Sequence, residues 1–529
     1  MMPLTASERR LVDEATTWFD ANRRRFIDEL CDLIRYPSVA DESNPSPRPG
    51  EPYGHEVRRV FDHMINKAER DGFPTYDYDG HVLEVAYPQD SVETTDDIAF
   101  VGHLDVVPAG PGWTHDAFEP RVVADGDVVI GRGALDDKGV SLVNYSLLRF
   151  FDERGHRFRH RVRMLFGGSE EPALNDIKWF VANVGAPHQA IVTDGPFPVN
   201  TIQKGLLDVD VALPAGGRLR GWHAGSSANT IPAVASIDLA GMDVDEARRA
   251  VDHAGLDDDI RGRITITPSD GAGDRGATVT AHGISGHASK PNGTINAIAL
   301  LTSVLIRSGL LEGRDATVAG AIAGWAGDPY GGTLGFAFDN AESGPTTANL
   351  GVIVPGPEFG AAGTDGKAVG DDEIVMHLDI RYAVGQTAED ILAAIRRHVE
   401  PIGGRLVNVL NDDPYYVSAD DPRVELLTAA YNDVVDGMTP GTPKAGPVAM
   451  GGGTHARFIT DALNFGPEFH AEYVPAVDGI VMDPPDCIAP GTGSAHGVDE
   501  WVSIRNLKAA FIMYALGLVR LDRYLDGGN

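Results

Sequence analysis

In 529 residues this chain has two cysteines, Cys31 and Cys487, far apart and in no Cys-x-x-Cys spacing. That excludes a disulfide framework and a cysteine-rich zinc module, fits a reducing cytoplasm, and leads us to expect two single buried thiols. Basic residues are also scarce, with 44 Lys and Arg against 77 Asp and Glu and a formal charge of −33. Such a balance argues against nucleic acid or an anionic membrane as the main partner. No stretch is apolar enough to span a bilayer, and the opening MMPLTASERRLVDEATTWFDANRRRFIDEL lacks the apolar centre of a signal peptide. A soluble cytoplasmic protein is expected. Several catalytic patterns are missing too. His55-Glu56 is followed by no histidine at position 59, so there is no HExxH, and GISGH at 283–287 lacks the closing glycine of a nucleophile elbow. GRGALD and GTGSAH fail the dinucleotide fingerprint at its final position, and GGGT at 451–454 lacks a phosphate-loop lysine.

What remains is an ordinary globular composition, 43% apolar and 23% charged, in a chain too long for one core. Leu11, Ala15, Trp18, Phe19, Phe26, Leu30, Leu33 and Ile34 recur at helical spacing, and a second helix is expected over His55 to Asp71. Short apolar runs follow: Ile98–Val101 leads into His103, Val162–Phe166 into Gly167, and Ala190–Val192 into Thr193. Such runs suit strands buried on both faces of a parallel sheet. Val140, Val143, Leu147, Leu148 and Phe151 give the stripe of a crossover helix between them, so this region reads as α/β. From about Gly205 the pattern changes to alternation, with Leu207, Val209, Val211 and Leu213 against Asp208 and Asp210, as in a strand with one covered face. Helical stripes at Val244–His253, Ala297–Ser308 and Ala388–His398 and a strand at Ile374–Tyr382 complete two α+β halves with sheets exposed on one side. The α/β character returns near Tyr416, where Asp421-Pro422 reads as a helix cap and first-turn proline. We therefore expect a catalytic domain in two parts, 1–204 and 414–529, interrupted by a lid over 205–413, with the glycine-rich stretches 214–227 and 359–370 as loops.

Five segments carry metal-ligand residue types, and three of them place those residues just beyond an apolar run, where open α/β sheets bind ligands. His103 and Asp105, two apart in VGHLDVVPAGPGW, share one face if extended, and Asp105 can fix the second ring nitrogen of His103. Asp136 and Asp137 occupy the glycine-flanked turn GRGALDDKG ahead of a helix, where a carboxylate either bridges two cations or merely caps the helix. Glu170-Glu171 in GGSEEP are adjacent carboxylates that repel unless a cation lies near, and Asp194 in VTDGPFP and His496 in GSAHGVDEW complete the set. Oxygen ligands joined by imidazoles suit zinc, manganese or cobalt.

These motifs, in this order, make the chain resemble the co-catalytic metallopeptidases that include acetylornithine deacetylase, succinyl-diaminopimelate desuccinylase, carboxypeptidase G and carnosinase. GRGALDDKG, the paired glutamates, GGGTHAR and AHGVDEW look closest to the PepV-type bacterial dipeptidases. The resemblance implies a di-zinc exopeptidase-like catalytic domain with a mostly parallel sheet and a lid of two ferredoxin-like halves. It implies one metal on His103 and Asp194 and another on Glu171 and His496, with Asp136 bridging, Asp105 orienting His103, and a cis Asp136–Asp137 peptide. Glu170 would be the general base acting on a metal-bridging hydroxide. From the lid, His287 in GISGHASKP would stabilise the oxyanion, while Asn229 in SSANTIP and Arg381 in DIRY would hold the substrate. The loop Gly452, Gly453 and Thr454 would offer amides to the substrate carboxylate. Each of these has a plain alternative: Asn229 as a turn former, Arg381 as a surface ion-pair partner, the glycine loop as a tight turn.

Two departures stand out. His455 follows the GGGT loop where related dipeptidases tend to have another aromatic, and the stretch from His470 to Pro490 is long for this branch. The expected activity is hydrolysis of dipeptides with a free C-terminal carboxylate by a monomer holding two divalent ions, zinc first. The alternatives are an N-acyl-amino-acid deacylase with the same metals and a metal-stabilised binding protein.

Overall fold

The computed structural model of the chain describes residues 4–43, 46–88, 96–269, 276–359, 367–489 and 492–527. It divides into two compact units, one formed by 1–201 with 416–529 and the other by 202–415.

The first unit is built on a mixed sheet whose centre is parallel. Strand Asp97–His103 lies between Arg161–Gly167 and Gln189–Val192, and Leu463–Asn464 continues the parallel order beyond the latter. These strands are buried on both faces, which is why they read as unbroken apolar runs. Helix Lys138–Glu153 is buried from Lys138 through Phe151, covered by the sheet on one side and by helices Ala6–Ile34 and Ile504–Leu525 on the other. The long first helix is one element, opened by a capping box between Thr5 and Glu8. Trp18 stacks on Phe511 at 5.3 Å and meets Phe150 edge-on at 5.8 Å, so one aromatic cluster joins the three helices. Asp421 caps helix Pro422–Met438 by accepting from Arg423 N–H, with Pro422 in its first turn. Among the described residues no helix is long and apolar enough to cross a membrane.

The second unit has one eight-stranded antiparallel sheet with helices against it. Its two α+β halves join where Trp222–Ala224 pairs with Thr347–Pro355. Inward residues Leu207, Val209, Val211 and Leu213 meet helices Ala297–Arg307, Gly313–Gly327 and Ala388–Val399 in a single core.

Three sequence expectations need correction. The glycine-rich stretch 214–227 is not all loop: Trp222–Ala224 is a central strand, and Trp222 is fully buried. The outer face of the second sheet is not simply exposed, because Phe359 and Val369 pack over Ala212, Val375 and Val407, and His377 pairs with buried Asp210. Residues 360–366 of the other glycine-rich stretch lie outside the described residues. Only one thiol is buried, since Cys31 is enclosed and Cys487 exposed, both unbridged.

Candidate active site

His103 ends the central strand, completely buried. The residue before it must be small, because a Cβ on Gly102 would lie 2.4 Å from Asp137 Oδ2. His103 Nε2 faces Asp136 Oδ1 at 3.1 Å, and His496 Nε2 faces Asp136 Oδ2 at 3.1 Å and Glu171 Oε2 at 2.8 Å. Each oxygen of Asp136 thus serves one histidine. Potential ligand atoms of His103, Asp136 and Glu171 lie within 4.8 Å of one another, as do those of His103, Glu170 and Asp194. The fold therefore brings together all five expected ligands with Glu170, in two groups that share His103.

The electrostatics show what this cluster lacks. Burial, followed by the charge of Asp136, pushes Asp194 up to about 8 and Glu171 up to about 7. Burial raises Glu170 well above the carboxylate range, and Asp194 and Glu171 add to this against the opposing His103. Asp136 alone is driven down, where hydrogen bonds from His103 and His496 outweigh burial. Hydrogen bonds donated to the carboxylates of Asp136 and Glu171 push His496 up to about 11. Four partly buried carboxylates share two imidazoles, so the cluster is short of positive charge, and divalent cations between these hard donors would supply it. The donor set fits such ions.

The carboxylates beneath the cluster hold it in place. Asp105 places its backbone carbonyl 3.1 Å and its carboxylate 3.3 Å from His103 Nδ1, and its oxygens accept from Glu170 N–H and Glu171 N–H, both at 3.1 Å. One side chain therefore orients the histidine and the paired-glutamate turn together. Asp137, joined to Asp136 by a cis peptide, makes no side-chain cap on the helix that follows; it accepts from His103 N–H at 2.9 Å and Ser141 Oγ at 3.0 Å. Asp499 accepts from Thr114 N–H and Oγ, which fixes the loop after His103. Glu500 and Arg132 grip the turn that carries Asp136. On the opposite side Asp176 accepts from Ser169 N–H at 3.1 Å and lies 3.1 Å from Nε2 of His455, both residues fully buried. The His455 ring is 6.2 Å from that of His103. Sequence reasoning assigns no role to Glu500, Arg132, Asp499 or Asp176. The available signal is their position inside or beside the ligand motifs: Arg132 in GRGALDDKG, Asp499 and Glu500 in AHGVDEW, and Asp176 shortly after GGSEEP.

The other expected site residues sit as follows. In the second unit His287 pairs in register with Thr230, and Ala288 N–H donates to the Asn229 carbonyl. Ser289 N–H donates to His287 Nδ1 at 3.1 Å, which leaves Nε2 as the protonated nitrogen. Asn349 anchors the Asn229 loop by donating to the carbonyls of Ala228 and Thr230, and its register partner on the next strand is Asp379. Asp379 receives Nε and Nη2 of Arg381 at 2.8–3.2 Å, fixing the guanidinium plane. In the first unit Thr454 Oγ accepts from Ala456 N–H and Asn464 Nδ2, and Gly452 and Gly453 pack against Arg457. The 470–489 segment is tied down by Asn506, whose side-chain amide pairs with both N–H and C=O of Val481. It encloses a cavity of about 310 Å³ with Phe469, Met482, Trp501 and Leu507, adjoining Leu135 and Ala495, the residues next to Asp136 and His496. Pro490 lies outside the described residues.

A carboxylate and histidine cluster at the ends of parallel strands defines a metal-dependent hydrolase. The chain belongs to peptidase family M20/M25/M40, whose model matches residues 99–518, and is a metallopeptidase. It is similar to "Putative dipeptidase YtjP" of Bacillus subtilis (strain 168), 27% identical over 505 residues, 94% of this chain and 97% of that one. "Putative dipeptidase SSP1012" of Staphylococcus saprophyticus is 26% identical over 454 residues, 84% of this chain and 89% of that one. The di-peptidase Dug1p of Saccharomyces cerevisiae has the same fold, with a TM-score of 0.55 at 13% identity, covering 97% and 98% of the two chains. Human carnosine dipeptidase 1 also matches in fold, with a TM-score of 0.55 at 14% identity, covering 99% and 100%.

Proposed function

We propose that this chain is a dipeptidase that hydrolyses the single peptide bond of dipeptides bearing a free C-terminal carboxylate. The observation that carries the reading is the cluster of His103, Asp136, Glu170, Glu171, Asp194 and His496 in a chain matched almost end to end by a dipeptidase-named relative. Asp136 would hold two divalent ions, zinc first and manganese or cobalt next, with Glu171 and His496 on one side and His103 and Asp194 on the other. When bound, those ions supply Lewis acidity to the attacking water and the scissile carbonyl.

The chain's own residues do the rest. Glu170, whose carboxyl is held above the ordinary range chiefly by burial, takes the proton from the attacking water and delivers it to the leaving amine. Asp105 keeps His103 in one tautomer and the Glu170 turn in register. His287 offers Nε2–H to the carbonyl oxygen as charge develops there. Arg381, aligned by Asp379, takes the substrate carboxylate as a planar fork, and Asn229 and the amides of the Gly452–Gly453–Thr454 loop serve as further substrate donors.

The test is a panel of free dipeptides, matched N-acyl amino acids and tripeptides, run on chelator-stripped protein reloaded separately with zinc, manganese or cobalt. Cleavage confined to free dipeptides and restored by metal is expected. Cleavage of the acylated compounds alone would make the chain a deacylase, and silence with every ion would leave a binding protein.

A further inference from the structure

Glu500 is a fully buried carboxylate four residues after His496, and the protons it receives all come from one turn. Its Oε2 accepts from Arg132 Nη1 at 2.6 Å and Gly133 N–H at 3.2 Å, and its Oε1 from Leu135 N–H at 2.8 Å and Asp136 N–H at 3.1 Å. Those four bonds fill the carboxylate's usual acceptor capacity. The guanidinium of Arg132 also reaches the His496 segment by donating from Nη2 to the His496 carbonyl at 3.2 Å. The Trp113 ring covers that guanidinium at 5.2 Å. Asp136 and His496, whose side chains meet at 3.1 Å, are thus joined from behind by one buried ion pair. His103, Glu170 and Asp194 rest on other supports: the strand ends, Asp105, and Asn464, which donates to the Asp194 carbonyl.

We propose that Glu500 and Arg132 form a positioning pair that sets the affinity of one cation position selectively, the one built from Asp136, Glu171 and His496. The proposal rests on the metal reading above, not on the choice of substrate. Without Glu500 the Asp136 turn loses four bonds, and without Arg132 the His496 carbonyl loses its donor. The other position shares Asp136 but keeps His103 and Asp194 with their supports intact, so it loses less. Residues behind metal ligands typically change affinity by about 10–100-fold when removed.

The experiment uses the full chain, its Glu500→Gln variant and its Arg132→Lys variant, each stripped with chelator and titrated with Co²⁺. Equilibrium dialysis counts the ions, visible absorption follows the coordination of each, and circular dichroism with the melting temperature of the stripped protein reports folding. The parent chain should take two ions. Glu500→Gln should weaken one by about 10–100-fold and the other, which shares only Asp136 with it, by much less. Arg132→Lys, which keeps a charge beside Glu500 but cannot span to the His496 carbonyl, should show the same selective loss to a smaller degree. Parental binding of both ions, or an equal loss of both, overturns the proposal. Should the Gln variant fail to fold, Arg132→Lys decides alone, and failure of both to fold makes the pair a folding element and also overturns it. A parent chain that binds no ion sinks the metal reading itself, a result visible before any variant is compared.

Discussion

The two units present their functional side chains by opposite means. In the first, His103, Glu170 and Asp194 stand at the ends of buried strands or just past them; Asp105 and Asp137 fasten His103 and the Glu170 turn from below, and Glu500 fastens the Asp136 turn. In the second, exposed His287 sits on a two-residue strand, its neighbour Asn229 is held through Asn349, and Arg381 is aligned by Asp379 on its own strand. Buried, multiply fastened groups are pre-organised for bond-breaking, because little reorganisation is needed when charge moves. An exposed group on a short element, such as His287, adapts to a ligand instead. The comparison assigns ion holding and proton transfer to the first unit and contacts to the substrate, the oxyanion donor included, to the second, and each substitution below tests that division.

The largest effect should come from Glu170→Gln, which keeps size and removes the proton carrier. A fall in kcat of about 10²–10⁴ is expected, with metal content unchanged by dialysis. Unchanged kcat would remove Glu170 from the chemistry. His287→Ala is expected to lower kcat by about 10²–10³, the usual loss for one donor to a developing oxyanion, with KM moving less. If KM rises instead and kcat holds, His287 belongs to binding and the division between units sharpens further.

Arg381→Lys should be smaller and of a different kind. Lysine retains the charge but not the fork, so KM is expected to rise about 10-fold with kcat nearly unchanged. The same variant should discriminate less between free dipeptides and their C-terminal amides, measured as the ratio of kcat/KM. A pure kcat effect would contradict a binding role for this arginine.

What can be read from the sequence follows the same division. Parallel strands buried on both faces leave unbroken apolar runs, and the polar residue ending each run marks the site, so His103 and Asp194 are visible without a structure. Helices such as His55–Asp71 and Ala388–Val399 are equally legible from their one-sided stripes. Glu500 is not legible in this way. It is one of 77 acidic residues, and its partners Leu135 and Asp136 precede it by 365 and 364 positions. Nothing local marks it as buried. Trp222–Ala224 is hidden for another reason: three residues next to a glycine are too few to show a period. The cover over the second sheet comes from Phe359 and Val369, which flank a glycine-rich stretch with no pattern of its own.

The smallest effects, in stability against pH, separate the units once more. In the first unit Glu29 accepts from Arg149 at 2.8 and 3.0 Å and pairs with Lys67. Burial raises its pKa, but Arg149 and then Lys67 outweigh it and push the carboxyl down to about 2 from 4.5. Its stabilising contribution is therefore complete above the unfolded value and is lost as pH falls from about 4.5 towards 2. In the second unit Asp208 faces Asp379 across two strands, and burial, followed by that charge, raises it to about 6 from 3.8. Here the sign reverses: the group favours the folded state at low pH, and that contribution is lost as pH rises from about 3.8 through 6. Glu29→Gln should lower the melting temperature at neutral pH and flatten its fall below pH 4.5. Asp208→Asn should raise it at neutral pH by about 2–4 °C, roughly 1 kcal/mol after allowance for solvent screening, and leave it unchanged near pH 3. Calorimetry across pH 3 to 8 measures both, and two variants shifting with the same sign at neutral pH would contradict the opposed electrostatics of the two units.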